Sequence, residues 1–209
     1  MKRADYYRQE GPDSSAGMLQ ECERELRHRF ELGPDEEIPI AIVLGTGWGD
    51  AFEFTATHSI RLNEIGAFSE LDELEGHERR LELGTMDLLG KPTRVLVLRG
   101  RVHMNEDTHN LAVRIMVRLQ VEMLIKLGVK KFLLTAAVGG LWTMLKPGDI
   151  VVADSFPSWG NETLPAWTFN EPASALDQGM LEIFRKNQDE DAPRLRVGSY
   201  VFFRGRHFE

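Results

Sequence analysis

The sequence predicts an α/β fold built on a mixed, largely parallel central sheet flanked by helices. Three observations lead there. Several short apolar runs lack alternation, as strands covered on both faces require. Glycine-rich turns follow these runs directly. Between them lie segments whose apolar residues recur at helical spacing.

Residues 1–13 are polar and form an expected tail, with a single domain expected over 14–209. Met18, Leu19, Cys22, Leu26 and Phe30 fall mostly three or four apart and predict a first helix, with Ser14 and Ser15 available as caps and a stop near Gly33-Pro34. The run Ile38 to Leu44 then reads as a buried strand, followed at once by Gly45-Thr46-Gly47-Trp48-Gly49-Asp50. From Leu62 to Glu75 the chain reads as loop. Arg80 to Gly84 and Thr93 to Arg99 predict two adjacent strands around the turn signal Gly90-Lys91-Pro92. Leu111, Ile115, Met116, Leu119, Met123 and Leu124 predict a helix that stops at Gly128. Lys131 to Ala137 and Ile150 to Ala153 predict further strands, with the turn Pro147-Gly148-Asp149 between them. A last helix is expected from Ser174 to Lys186 and a last strand from Gly198 to Phe203.

Composition narrows the function. With 33 acidic against 25 basic residues the formal charge is −8, so the mean field opposes nucleic acid and anionic membranes. No stretch approaches the ~18 apolar residues of a membrane span, and no apolar run follows the charged N-terminus. The expected compartment is the cytoplasm. Cys22 is the single cysteine and forms no internal disulfide.

Ligands of open α/β sheets gather beyond the carboxyl ends of strands, and three candidate segments stand there: 45–50, 99–107 and 135–141. The first lacks the third glycine of a dinucleotide fingerprint, where Asp50 stands, and the lysine of a P-loop. It reads either as a tight strand-to-helix turn or as an anion nest in which backbone N–H groups and the Thr46 hydroxyl meet a phosphate oxygen. The second supplies a planar bidentate donor, Arg101, and an imidazole, His103, two residues on and therefore on one side of an extended chain. Glu106 stands ready to hold Arg101 or to set the protonation of His103, or else forms a surface ion pair. A metal site of His103, Glu106 and His109 matches neither a helical His-x-x-x-His pair nor a zinc pattern, so no metal is expected. His77, behind Gly76 at a strand entry, is a further candidate beside its reading as a surface histidine. Catalytic nucleophiles are not evident: Cys22 lies in an amphipathic helix and no serine occupies a Gly-x-Ser-x-Gly elbow.

Taken in order, these segments resemble the trimeric purine nucleoside phosphorylase family, which includes the methylthioadenosine phosphorylases. The likeness rests on Gly45-Thr46-Gly47-Trp48-Gly49, Gly76-His77-Glu78-Arg79-Arg80-Leu81, Arg99-Gly100-Arg101-Val102-His103-Met104-Asn105-Glu106, Thr135-Ala136-Ala137-Val138-Gly139-Gly140-Leu141, Pro147-Gly148-Asp149-Ile150 and Gly198-Ser199-Tyr200-Val201 through Phe208-Glu209. The resemblance implies a nucleoside phosphorylase-like fold and phosphorolysis of purine (deoxy)ribonucleosides to free base and pentose 1-phosphate. Inorganic phosphate is then a co-substrate and no cofactor is implied. By the same carry-over, Thr46, His77, Arg101, His103 and the backbone N–H of Ala137 bind phosphate, with Glu106 supporting Arg101. Tyr200 sits by the ribose, Gly139, Phe208 and Glu209 by the purine, and His103 and Glu209 take the catalytic roles. A homotrimer in purine salvage is the implied assembly and context.

This sequence departs from the family pattern at Ala136 (asparagine there), Val138 (alanine), Asn105 (tyrosine) and Arg206-His207 (proline-serine). The family also continues beyond the position of Glu209 with a phosphate-binding serine, a donor to purine N7, a ribose-contacting histidine and a closing helix. The resemblance therefore implies a fold shortened at its C-terminal side, with the last strand's edge and apolar surface open to association. Two rival functions follow: a catalytically impaired homologue that binds phosphate or nucleoside as a partner or regulatory subunit, and a phosphate-binding α/β protein unrelated to nucleosides.

Overall fold

The computed structural model describes residues 12–49, 51–69, 71, 78–103, 106, 111–155, 177–186 and 195–201. The chain divides into two compact units, Met1–Ala137 and Val138–Glu209.

In the first unit, helix α1 (Pro12–Arg29) buries Met18, Cys22 and Leu26 as a stripe at four-residue spacing. The pairs Glu23–Arg27 (3.1 Å) and Glu25–Arg29 (3.3 Å) brace its outer face. The helix stops earlier than Gly33-Pro34. Glu31 adopts a left-handed φ of 53°, and Leu32 N–H donates to Arg27 O at 2.8 Å while Glu31 N–H donates to His28 O at 3.3 Å. That pair of bonds is a Schellman close with glutamate at the position glycine usually takes.

Strand β1 (Ile40–Leu44) occupies the interior of a five-stranded sheet. With β2 (Thr55–Arg61), β3 (Arg80–Leu88), β4 (Lys91–Arg99) and β5 (Lys131–Leu134), the order is β2-β3-β4-β1-β5. β1 pairs in parallel with β4 and β5, whereas β3 is antiparallel to both β2 and β4, so β3 alone runs against the rest. The apolar run of β1 divides by face. Ala41 and Val43 join Leu96, Leu98, Leu81 and Leu83 under the helices, while Ile42 and Leu44 join Val95 and Val97 on the other side. Helix α2 (Leu111–Lys126) covers the first face beside α1 and two short 3₁₀ turns, Leu62–Glu64 and Gly66–Phe68. Trp48, Phe52, Phe54, Met86, Leu88 and Leu133 pack on the second.

Further features of this unit differ from the sequence expectation. β2 was not foreseen, because as an edge strand it buries Ile60 and leaves most of its polar residues in solvent. β3 and β4 are longer than expected and turn at Leu89-Gly90, where φ is 57° and 76°. Pro92 lies inside β4, opposite Asp87, at a position where β4 has β3 but not β1 beside it. β5 ends at Leu134 instead of Ala137. Gly128 closes α2 as expected, at φ 93°, and a Cβ there would meet Glu37 Cβ at 2.5 Å.

In the second unit, β6 (Ile150–Ser155) and β7 (Leu195–Ser199) pair in parallel, with α3 (Gln178–Lys186) between them in sequence. Asp177 caps α3, its Oδ1 accepting from Met180 N–H at 3.1 Å. The turn expected at Pro147-Gly148 is present, with Gly148 at φ 95° and Asp149 Oδ2 accepting from Lys146 N–H at 3.0 Å. The expected last strand is displaced toward the N-terminus: Leu195 pairs with Ile150, and Tyr200 and Val201 lie beyond the strand. The rest of that expected strand, Phe202 and Phe203, lies outside the described residues.

Candidate functional site

Parallel pairing sets Leu44 beside Arg99 and Val43 beside Leu134, so β1, β4 and β5 finish at one edge of the sheet. The segments that follow them are brought together by hydrogen bonds. Gly45 N–H donates to Thr135 Oγ1 at 3.0 Å, Thr135 N–H donates to Val43 O at 2.9 Å, and Gly100 N–H donates to Leu44 O at 3.1 Å. Gly45 must be glycine, because a Cβ there would stand 2.6 Å from Thr135 O and 2.9 Å from Ala136 Cα. The loop then turns through Gly47 at φ 81°, with Trp48 N–H donating to Gly45 O at 3.2 Å. Thr46 and Ala137 are exposed at the rim.

Arg101 is half-buried and its Nη1 donates to Thr135 O at 2.7 Å, which ties the second segment to the third. The backbone on either side of it is held as firmly. Val102 N–H donates to Gln120 Oε1 at 2.9 Å, and Gln120 Nε2 donates back to Val102 O at 3.0 Å. Gln120 is 4% exposed, so this primary amide serves Val102 as a strand partner would. His103 N–H donates to Glu106 Oε1 at 2.7 Å, and Glu106 N–H donates to His103 O at 3.2 Å. The other carboxylate oxygen of Glu106 meets Arg79 Nη2 at 2.7 Å. Among the described residues, Glu106 forms an ion pair with Arg79. A second arginine pair serves the first loop: Arg99 Nε lies 2.8 Å from Glu82 Oε2, and Arg99 Nη1 donates to Gly49 O.

Chemically, these loops offer backbone N–H groups, a hydroxyl, a guanidinium and an imidazole at the carboxyl end of a sheet. That set suits a small oxyanion. It stands out against a chain of net charge −8. No group of three or more His, Cys, Asp or Glu side chains suited to a metal occurs among the described residues. The Cys22 thiol is fully buried, and its pKa is pushed from 9.0 to about 12, first by burial and then by Glu25 and Glu21. A thiol so poised is no nucleophile.

Of the residues singled out by sequence, Thr46, Arg101, His103, Glu106 and Ala137 belong to the first unit. Gly139 and Tyr200 belong to the second, and both are exposed. His77, His109, Phe208 and Glu209 lie outside the described residues. Sequence reading missed Arg79, Arg99, Glu82 and Gln120. The pair Arg99–Glu82 has a weak signal, since Arg99 precedes Gly100 and Glu82 sits two places from Arg80, the register partner of Arg99.

Glycine-rich and arginine-bearing loops thus converge at the carboxyl ends of β1, β4 and β5 in a mixed α/β sheet. Residues 39–209 match the Phosphorylase superfamily, and the chain belongs to it. Within that superfamily its likeness is to the purine nucleoside phosphorylases. It is 26% identical to purine nucleoside phosphorylase 1 of Geobacillus stearothermophilus over 204 residues, covering 91% of this chain and 68% of that protein. It is 26% identical to purine nucleoside phosphorylase 1 of Bacillus subtilis (strain 168) over 183 residues, covering 83% of this chain and 64% of that protein. The fold is similar to a purine nucleoside phosphorylase from Schistosoma mansoni crystallised with acetate, with TM-score 0.62, 22% identity and coverage of 92% of this chain and 71% of that one. It is similar also to a purine nucleoside phosphorylase in complex with ribose-1-phosphate, with TM-score 0.66, 23% identity and coverage of 91% and 71%. Among the described residues no helix is long and apolar enough to cross a membrane.

Proposed function

We propose that this chain is a purine nucleoside phosphorylase whose phosphate site is formed by Thr46, Arg101, His103 and the backbone N–H of Ala137. The observation that supports it best is Arg101, whose guanidinium is anchored on Thr135 O at 2.7 Å where the loops after β1, β4 and β5 meet. A phosphate held there serves two purposes. Its dianion stabilises the positive charge that develops on the sugar, and it is already placed to attack. In the reaction a phosphate oxygen bonds to the anomeric carbon as the glycosidic bond to the purine breaks. The bond's electron pair leaves with the base, which takes up a proton, and the pentose 1-phosphate remains. Arg101 and the loop N–H groups orient the anion, and His103 adds a titratable donor beside it. The family resemblance of the sequence motifs further proposes His77 for the phosphate, Tyr200 for the ribose, and Gly139, Phe208 and Glu209 for the purine. The family resemblance drawn from the sequence makes a cytoplasmic homotrimer the assembly we propose to test.

Phosphate-dependent release of hypoxanthine from inosine, followed by absorbance, tests the activity. Release that requires phosphate and disappears in Arg101→Ala is the expected result. No release from a chain that still binds phosphate would replace the enzyme by a binding homologue.

A further inference from the structure

Arg79 lies at the entry to β3, is 6% exposed, and holds a left-handed φ of 45°. An arginine keeps that backbone conformation only where its surroundings fix it. Here the fixing is visible on both sides of the residue: Leu62 N–H donates to Arg79 O at 2.7 Å, and the guanidinium meets Glu106 at 2.7 Å. The Glu106 carboxylate is therefore engaged at both oxygens, by Arg79 on one and by the His103 N–H on the other. Its side chain is only 18% exposed, so the charge depends on these partners more than on water.

We infer that Arg79 is a positioning residue, which fixes the backbone of His103 in the phosphate loop through the Glu106 carboxylate. The inference rests on the phosphate-site reading given above. Without the guanidinium, Glu106 gains by turning to solvent, and His103 then loses the acceptor that holds its N–H. The chain from 101 to 103 would keep its ties through Arg101 and Gln120, so the change is local to the imidazole end of the loop. Lysine at 79 keeps the charge but not the planar fork, which makes it a graded control.

Amide hydrogen exchange by NMR and titration with inorganic phosphate, on the wild-type chain, Arg79→Gln and Arg79→Lys, test this. In Arg79→Gln the His103 amide should exchange about tenfold faster and the phosphate Kd should rise about tenfold, each matching the loss of one charge-assisted hydrogen bond. The amide of Val97 in β4 should keep its wild-type protection, and Arg79→Lys should recover part of both changes. Unchanged exchange at His103 would overturn the inference. So would equal acceleration at Val97, which would make Arg79 an ordinary contributor to global stability. Should Arg79→Gln not fold, Glu106→Gln carries the same test, because an amide keeps an acceptor for His103 while weakening the pair with Arg79. A wild-type chain that binds no phosphate would sink the phosphate-site reading by itself, and His103 exchange would still decide the role of Arg79.

Discussion

Replacing Gln120 by leucine removes a side chain that no sequence pattern marks as special, yet the effect should be large. Leucine matches glutamine in size and belongs on the buried face of α2, where Gln120 is 4% exposed, so packing alone predicts little change. The hydrogen bonds predict otherwise. Val102, itself 2% exposed, loses the acceptor of its N–H at 2.9 Å and the donor to its O at 3.0 Å. Each buried, unsatisfied backbone group costs about 1–3 kcal/mol, and some relaxation toward solvent is open to a loop, so a net loss of about 2–4 kcal/mol is expected. For a chain of this size that corresponds to a fall in Tm of roughly 4–16 °C. Calorimetry or thermal circular dichroism measures it, and urea unfolding should show a lower midpoint at unchanged slope. Phosphate affinity should fall as well, since Val102 lies between Arg101 and His103. A Gln120→Leu protein with wild-type Tm would refute the clamp.

Three further substitutions test other parts of the structure. Leu89 sits at the β3–β4 turn at φ 57° and 89% exposed, so Leu89→Asn should stabilise by about 1 kcal/mol in urea unfolding; a loss of stability would mean that the side chain has a contact to keep. Gly45→Ala places a methyl 2.6 Å from Thr135 O, which is backbone and yields little, so Tm should drop by the equivalent of about 1–3 kcal/mol and phosphate binding should weaken. An unchanged Tm would show that the two loops are not in contact there. Cys22 should resist Ellman's reagent in the native chain at pH 8 and react after unfolding. Its folded pKa of about 12 exceeds the unfolded 9.0, so its contribution to stability is intact below pH 9 and is lost as pH rises from about 9 to about 12. Cys22→Ala should flatten stability against pH in that window, and a slope as steep as wild type would remove the thiol from the account.

What could be read from sequence followed the strength of local signals. The Ile38 to Leu44 run reads as a strand buried on both faces and Gly128 as a helix stop; the strand is present from Ile40, and Gly128 closes α2. The site's three loops were legible for the same reason: each follows such a strand, and parallel order places their ends together. β2 was not legible because an edge strand needs little apolar content, and Thr55–Arg61 offers Ile60 alone as a buried anchor. The sequence places the last strand too far along because Phe202-Phe203 is its strongest local apolar signal, whereas the parallel register with Ile150 begins at Leu195. The Schellman close at Glu31 hid behind the stronger Gly33-Pro34 signal. Gln120 and Arg79 were invisible for a different reason. Their partners are 18 and 27 residues away, at Val102 and Glu106, and a polar residue in a helix or strand entry reads as surface until the tertiary contact is known.

The central claim is that the loops after β1, β4 and β5 make one phosphate site centred on Arg101. Titration of the isotope-labelled chain with inorganic phosphate, watched by amide NMR and matched by calorimetry on Arg101→Ala, tests it most directly. Saturable shifts at Thr46, Gly47, His103 and Ala137, all lost in Arg101→Ala while the fold persists, are the predicted result. Binding that survives Arg101→Ala unchanged, or no shift at those amides with phosphate in excess, would contradict it.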